Sequence, residues 1–279
     1  MPIVWSGYTG YKEVDSDNPN LANLYSDKSK NWFDLYENEY LIVRNMDGDV
    51  VDRLKWQDGR HKAIYKKPIE SMAMGRVSAK NVEQELAIDA LMDERTTVKV
   101  LSGNFGTGKD VLMTAVALQL IQQNKFEKLL WVRNNVEVKD SNPLGFLPGD
   151  KSDKLISFAM PLADHLGGID ALNMYIQQGR IEIEHLGFMR GRDIKNSIVY
   201  CSESEHLTRS HVQLLLGRIA DGSILFINGD WKQIDAKAFE QDNGLMCAID
   251  RLKGQRLFSY VHLRETVRSE TAQLADLLD

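Results

Sequence analysis

What this 279-residue chain has little of narrows it first. It holds only two cysteines, Cys201 and Cys247, with no C-x-x-C spacing, so a disulfide scaffold and a cysteine zinc site are excluded and a reducing compartment is expected. The start, Met1-Pro-Ile-Val-Trp-Ser-Gly-Tyr8, lacks a basic stretch followed by an apolar one, and no run nears the roughly 20 apolar residues of a membrane span. The expected location is the cytoplasm, with no membrane partner. Positive charge is in deficit, with 34 Lys and Arg against 40 Asp and Glu and a net charge of −6. That argues against a generally polycationic nucleic-acid binder and leaves room for a local basic strip. Repeats and low-complexity tracts are missing too. Hydrophobic residues at 43% and charged residues at 27% are ordinary for a globular protein, and the length suits one large domain plus a small one.

The informative stretch is Val98 to Met113. An alternating run, Val98 to Leu101, reaches Gly103-Asn-Phe-Gly-Thr-Gly-Lys109 and passes into Val111 to Leu118, which is apolar at helical spacing. Strand, glycine loop and helix follow one another. Gly103, Gly106 and Gly108 have no Cβ, so the loop can curl with its N–H groups facing one small space at a helix N-terminus, where a polyphosphate fits. Lys109 adds a point charge for the β- and γ-phosphates, as the spacing G-x-x-x-x-G-K requires. The motif normally ends in Ser or Thr, whose hydroxyl binds Mg²⁺. Here that position is Asp110.

Along the rest of the chain, residues up to about 30 are polar, and Asn31 to Glu37 offers a short amphipathic helix. Glu39–Arg44, Val50–Trp56 and His61–Tyr65, separated by turns, predict a three-stranded antiparallel meander. Trp56 and Tyr65 on it face either a core or stacked bases. Lys66 to Arg76 is expected to be a linker, and Ser78 to Met92 a helix burying Leu86, Ala87, Ala90 and Leu91. Beyond the loop, strands at 129–132, 181–183, 197–201, 223–228 and 258–263 alternate with helices at 152–165, 169–178, 208–219, 243–252 and 269–278. Such alternation predicts an α/β fold with a parallel sheet covered on both faces. The boundary falls between an N-terminal segment, 1–75, and a core, 76–279.

In such sheets, ligands sit beyond the carboxyl ends of the strands. The apolar strand next to the loop normally ends in Asp-Glu in P-loop ATPases, and Ile198–Cys201 is followed by Ser202-Glu203. Glu203 fits the water-orienting position, and Ser202 stands where the metal-binding Asp belongs. The two departures complement each other, because one carboxylate and one hydroxyl still flank the presumed metal, exchanged between the segments. The alternative is a degenerate site. After Ser223–Ile227, Gly229-Asp230 and Gln233 would place a carboxylate and an amide near the γ-phosphate.

The order of these pieces resembles the PhoH family of P-loop ATPases, whose core is RecA-like. The matching segments are Asn81-Val-Glu-Gln84, Gly103 to Asp110, Val132-Arg-Asn134, Leu144-Gly-Phe-Leu-Pro-Gly149, Met189-Arg-Gly-Arg192, Glu203, Gly229-Asp230 with Gln233, and Arg268-Ser-Glu270. The β module and the tail also resemble the form of PhoH that carries a fused PIN ribonuclease domain, for which this chain leaves no room. Asp110, Ser202 and Asn134 depart from the family pattern and point to a divergent branch, such as the PhoH-like proteins of phages.

The resemblance implies a RecA-like P-loop NTPase core, with a mainly parallel sheet covered by helices, preceded by a small antiparallel β module. It implies ATP and Mg²⁺ as ligands. Gln84 would bind adenine, and Gly103, Asn104, Phe105, Gly106, Thr107, Gly108 and Lys109 the phosphates. Asp110 and Ser202 would share the metal, Glu203 would position water, and Gln233 would sense the γ-phosphate. Arg133, Arg190 and Arg192 lie on strand-end loops, where they contact RNA phosphates or are solvated or subunit-bridging arginines. One phosphate loop and no second core imply that the arginine finger comes from a neighbouring copy in a homo-oligomer, a hexameric ring by the resemblance. Arg268 is preferred over Arg218 for that role. The expected activity is ATP hydrolysis coupled to RNA or single-stranded nucleic acid, with helicase action included. The alternative is a slow nucleotide switch or assembly module acting on a protein partner.

Overall fold

The computed structural model describes residues 6–133, 156, 159–233, 239 and 242–267. Its centre is a six-stranded sheet built from β7 (Val98–Gly103), β8 (Lys128–Arg133), β9 (Ile181–His185), β10 (Ser197–Cys201), β11 (Ile224–Gly229) and β12 (Phe258–Leu263). The spatial order is β12-β7-β11-β10-β8-β9, and every pairing is parallel. Its central strands are fully buried, as expected where helices cover both faces. Glu203 follows β10, and β10 is not the neighbour of the loop strand. Between them lies β11, so the expectation of adjacency is corrected, and the residues nearest the loop strand on that side come from Asn228 and Gly229.

Local chemistry sets the helix ends. Asn81 caps α2 (Val82–Met92) by accepting from Gln84 N at 2.9 Å, which moves the expected start from Ser78. Thr208 and His211 form a reciprocal capping box on α6 (Arg209–Leu216), and Asn243 caps α7 (Gly244–Leu252). In the loop-following helix α3 (Lys109–Gln122), nearly every side chain from Leu112 to Ile121 is buried, because the sheet, α2 and a hairpin all cover it. Among the described residues, further helices are α1 (Asn20–Ser26), α4 (Met160–Leu166) and α5 (Ile169–Gln177). The expected helix at 269–278 and the first part of the one at 152–165 lie outside the described residues.

The meander appears as β2 (Tyr40–Arg44), β3 (Val50–Gln57) and β4 (Arg60–Ala63), with β1 (Tyr11–Asp15) added in parallel to β2. Residues 31–37 form turns and not a helix. There Asn31 uses both ends of its amide on Leu35, accepting from its N–H at 2.9 Å and donating to its carbonyl at 2.8 Å, and Asp34 takes φ of 50°. Such side-chain bonds offer the backbone an alternative to helix formation, and they win over the apolar spacing. The expected linker carries a hairpin, β5 (Ile69–Ser71) and β6 (Gly75–Val77), fastened to α3 where Gln119 and Gln122 accept from Glu70 N and Met72 N. Tyr40 and Ile42 of the β module share one apolar cluster with Leu86, Leu101 and Val116 of the core.

Candidate nucleotide site

The carboxyl ends of the sheet strands and the N-terminus of α3 enclose a cleft of about 680 Å³, lined by Phe105, Gly106, Gly108, Lys109, Asp110, Arg133, Glu203, Glu205, Asp230 and Gln233 among others. The loop depends on glycine at two places. Gly108, just ahead of α3, sits at φ of 89°, where L side chains are disfavoured, and a Cβ there would lie 2.9 Å from Gln84 Nε2. At Gly103 a Cβ would meet the Leu263 carbonyl oxygen of β12 at 2.1 Å. Inside the loop, Thr107 Oγ1 donates to the Asn104 carbonyl at 3.0 Å, and Lys109 Nζ donates to the Gly103 and Asn104 carbonyls at 2.6 and 2.7 Å.

Gln84 stands behind the loop. Its Nε2 donates to the Thr107 carbonyl at 2.9 Å and its Oε1 accepts from Lys80 N at 2.9 Å, with the side chain buried. In this geometry the amide braces the phosphate loop. A second brace comes from the chain after β12, where Val267 N donates to the Gly106 carbonyl at 2.9 Å. That segment is anchored on Glu83 of α2, which accepts from Arg264 N, Arg264 Nε, Glu265 N and the Tyr11 hydroxyl. Burial raises the Glu83 carboxyl, but these donors outweigh it and hold the group below the usual carboxylate range.

Asp110 occupies the first turn of α3. Its Oδ1 accepts from the Tyr200 hydroxyl at 2.6 Å and from Asn228 Nδ2 at 2.7 Å, and Asn228 also donates to the Tyr200 oxygen at 2.8 Å. Ser202, two positions past Tyr200, is 4% exposed, and its hydroxyl has no hydrogen-bond partner among the described residues. Glu203 adopts φ of 51° and ψ of 50°, an uncommon conformation for a residue with a side chain, and forms an ion pair with Arg133. Across the cleft, Gln233 Nε2 donates to Asp230 Oδ2 at 2.9 Å. Glu205 Oε2 accepts from Asp230 N at 3.0 Å, and burial pushes its carboxyl up to about 8.

The arginines separate. Arg133 lines the cleft. Arg192 is held by Glu182 and Glu184 of β9 at 2.8 and 3.1 Å, whereas Arg190 is exposed. Arg218 points a guanidinium nitrogen at the Arg192 carbonyl, at 3.4 Å. Asn134, 144–149 and Arg268 lie outside the described residues. Sequence reasoning did not assign roles to Tyr200, Asn228, Glu205, Glu83 or Arg264. Glu205 and Asn228 stand within the segments singled out by spacing, but no spacing rule marks them.

A profile described as "PhoH-like protein" matches residues 76–277. The chain belongs to the PhoH family. It is 30% identical to "Protein PhoH2" of Bacillus subtilis (strain 168) over 288 residues, covering 97% of this chain and 64% of that protein. It is 31% identical to a "PhoH-like protein" of Synechocystis sp. over 219 residues, covering 76% of this chain and 65% of that one. With "Protein PhoH2" of Mycolicibacterium smegmatis it shares 27% over 293 residues, 98% of this chain and 62% of the relative. The chain thus spans less than two thirds of the length of these relatives. The parallel sheet with its loop and helix is the P-loop NTPase core of PhoH, and nucleotide binding is the property the family brings. Among the described residues no helix is long and apolar enough to cross a membrane.

Proposed function

We propose that this chain hydrolyses ATP with Mg²⁺ in the cleft, and that hydrolysis is coupled to RNA or single-stranded nucleic acid within a homo-oligomeric ring. One observation carries the hydrolytic reading. Lys109 at the α3 N-terminus shares a single cleft with Glu203, Asp230 and Gln233, which puts phosphate-binding charge opposite groups able to orient water and read the γ-phosphate. The donor set also fits Mg²⁺. Among the described residues no cluster of three or more His, Cys, Asp or Glu is arranged to hold a metal, and Mg²⁺ usually takes only one or two carboxylates plus phosphate and water. Asp110 at the cleft would supply the carboxylate, and Ser202 a buried oxygen with no partner among the described residues. When bound, the ion would neutralise charge developing on the phosphates.

The nucleic-acid part is supported by Arg133 at the cleft and by the exposed Arg190 past the end of β9. One phosphate loop in the matched family region supports a finger supplied by a neighbouring copy, with Arg268 as the arginine offered to its cleft. A second reading, the slow nucleotide switch, is favoured by the Arg133–Glu203 ion pair, which engages the carboxylate that would orient the attacking water. ATP turnover measured with and without single-stranded RNA separates them. Stimulation by RNA supports the coupled hydrolase. Slow turnover indifferent to RNA supports the switch.

A further inference from the structure

Glu205 is one of the carboxylates lining the cleft, and it has no role in the reading above. It is 6% exposed, and its Oε2 packs against Gly229 so closely that a Cβ on that glycine would lie 2.6 Å away. The same oxygen takes the Asp230 N–H at 3.0 Å, so the acid is tied to the turn that carries Asp230 and Gln233. Burial is the largest influence on its charge, with Glu203 acting in the same direction and the Asp230 N–H and Lys109 against it. Glu203 and His206 lie on its own turn, Cys201 ends β10 ahead of it, and Asp230 and Lys232 at the β11 exit line the same cleft. Lys109 and Asp110 of α3, Arg133 of β8 and His165 of α4 line the same cleft, while α7 packs the apolar Leu245 beside Gly229. Adding a triphosphate to this cleft would bring several further negative charges next to a carboxylate that water barely reaches.

We propose that Glu205 works in this cleft as an uncharged acid that donates a hydrogen bond to the terminal phosphate of the nucleotide, and that it conveys the presence of that phosphate to the Asp230 turn. The inference rests on the reading of the cleft as an ATP site and adds to it a residue that distinguishes ATP from ADP. Both halves follow from the bonding. A protonated carboxyl offers one O–H donor while its other oxygen continues to accept from Asp230 N, so a single group contacts ligand and turn together. The burial that pushes the group up to about 8 keeps it in this form at neutral pH and removes the donor in alkaline solution.

The test compares Glu205→Gln and Glu205→Ala with the unaltered chain, measuring ATP turnover from pH 6 to 10 and the affinities for ATP and ADP. Gln keeps a donor and an acceptor but cannot ionise. It should lose less turnover at pH 7 than Ala and move the alkaline fall upward by roughly one pH unit or more. Ala should weaken ATP binding roughly tenfold or more, with ADP affinity little altered, which is the size of one hydrogen bond to a charged group. Thermal melts of both variants report whether the fold survives. Equal losses for ATP and ADP, or an alkaline limb unmoved by Gln, would overturn the proposal. Lys109→Ala serves as the separate control. If that variant hydrolyses ATP normally, the reading of the cleft itself fails; if it is inactive while both Glu205 variants behave like the parent, only this inference falls.

Discussion

The Tyr200 hydroxyl donates to the Asp110 carboxylate across 2.6 Å, tying the buried strand β10 to the first turn of the phosphate helix. An acidic residue is electrostatically favoured in the first turn of a helix, and here two neutral donors, Tyr200 and Asn228, also fix its direction. The residue that departs from the usual loop motif is therefore held in place by two donors from neighbouring strands.

Tyr200→Phe removes one of those donors from a part-buried carboxylate and should cost about 1–2 kcal/mol of stability. It should also raise the Mg²⁺ concentration needed for half-maximal turnover, since Asp110 loses its fixed direction. Denaturant melts and a Mg²⁺ titration check both effects, and an unchanged Mg²⁺ requirement would separate Asp110 from the metal.

The proposed exchange of metal-binding carboxylate and hydroxyl between Asp110 and Ser202 makes a non-additive prediction. Asp110→Thr alone should impair Mg²⁺-dependent turnover, and adding Ser202→Asp should recover part of it. Simple additive losses in the double variant would refute the exchange.

The two exposed-loop arginines should behave differently. Arg190→Ala should weaken RNA binding and lower the salt slope by about one unit, as for the loss of one phosphate contact. Arg192→Ala should act chiefly on stability, because Arg192 is committed to Glu182 and Glu184. Equal salt slopes for Arg190→Ala and the parent would remove Arg190 from any RNA path.

The brace at Glu83 predicts a pH dependence with a definite sign. A carboxyl held below its usual value of 4.5 contributes stability that is present above that pH and lost as pH falls through the lowered folded value. Arg264→Ala leaves Glu83 with fewer donors and should cost about 1–3 kcal/mol at pH 7, the partner being half exposed. The fall in stability from pH 5 to pH 2 should then become shallower than in the parent, a difference that urea melts across that range would measure.

Mixing Lys109→Ala with Arg268→Ala subunits tests the ring. Each should be inactive alone, and a mixture should regain part of the activity wherever an intact loop meets an intact arginine from its neighbour. A monomer that turns over ATP at the full rate would rule out an arginine supplied in trans.

By itself the sequence determined the strand, glycine loop and Lys109 helix, the alternation that makes a parallel sheet, and the strand limits at Ser197–Cys201 and Phe258–Leu263. Those features are local, set by glycine spacing and by apolar period, and a linear reading reaches them. The tertiary structure alone decided that β11 separates the loop strand from β10, and that Asp110 meets Tyr200 and Asn228, 90 and 118 residues away. It also decided that the Gln84 amide rests on Thr107, and that Asn31 closes a turn where apolar spacing had predicted a helix. Each of these turns on which buried polar group finds which partner. Hydrophobic period carries no record of that choice, because it is made only after the core has closed and the penalty for an unpaired polar group applies.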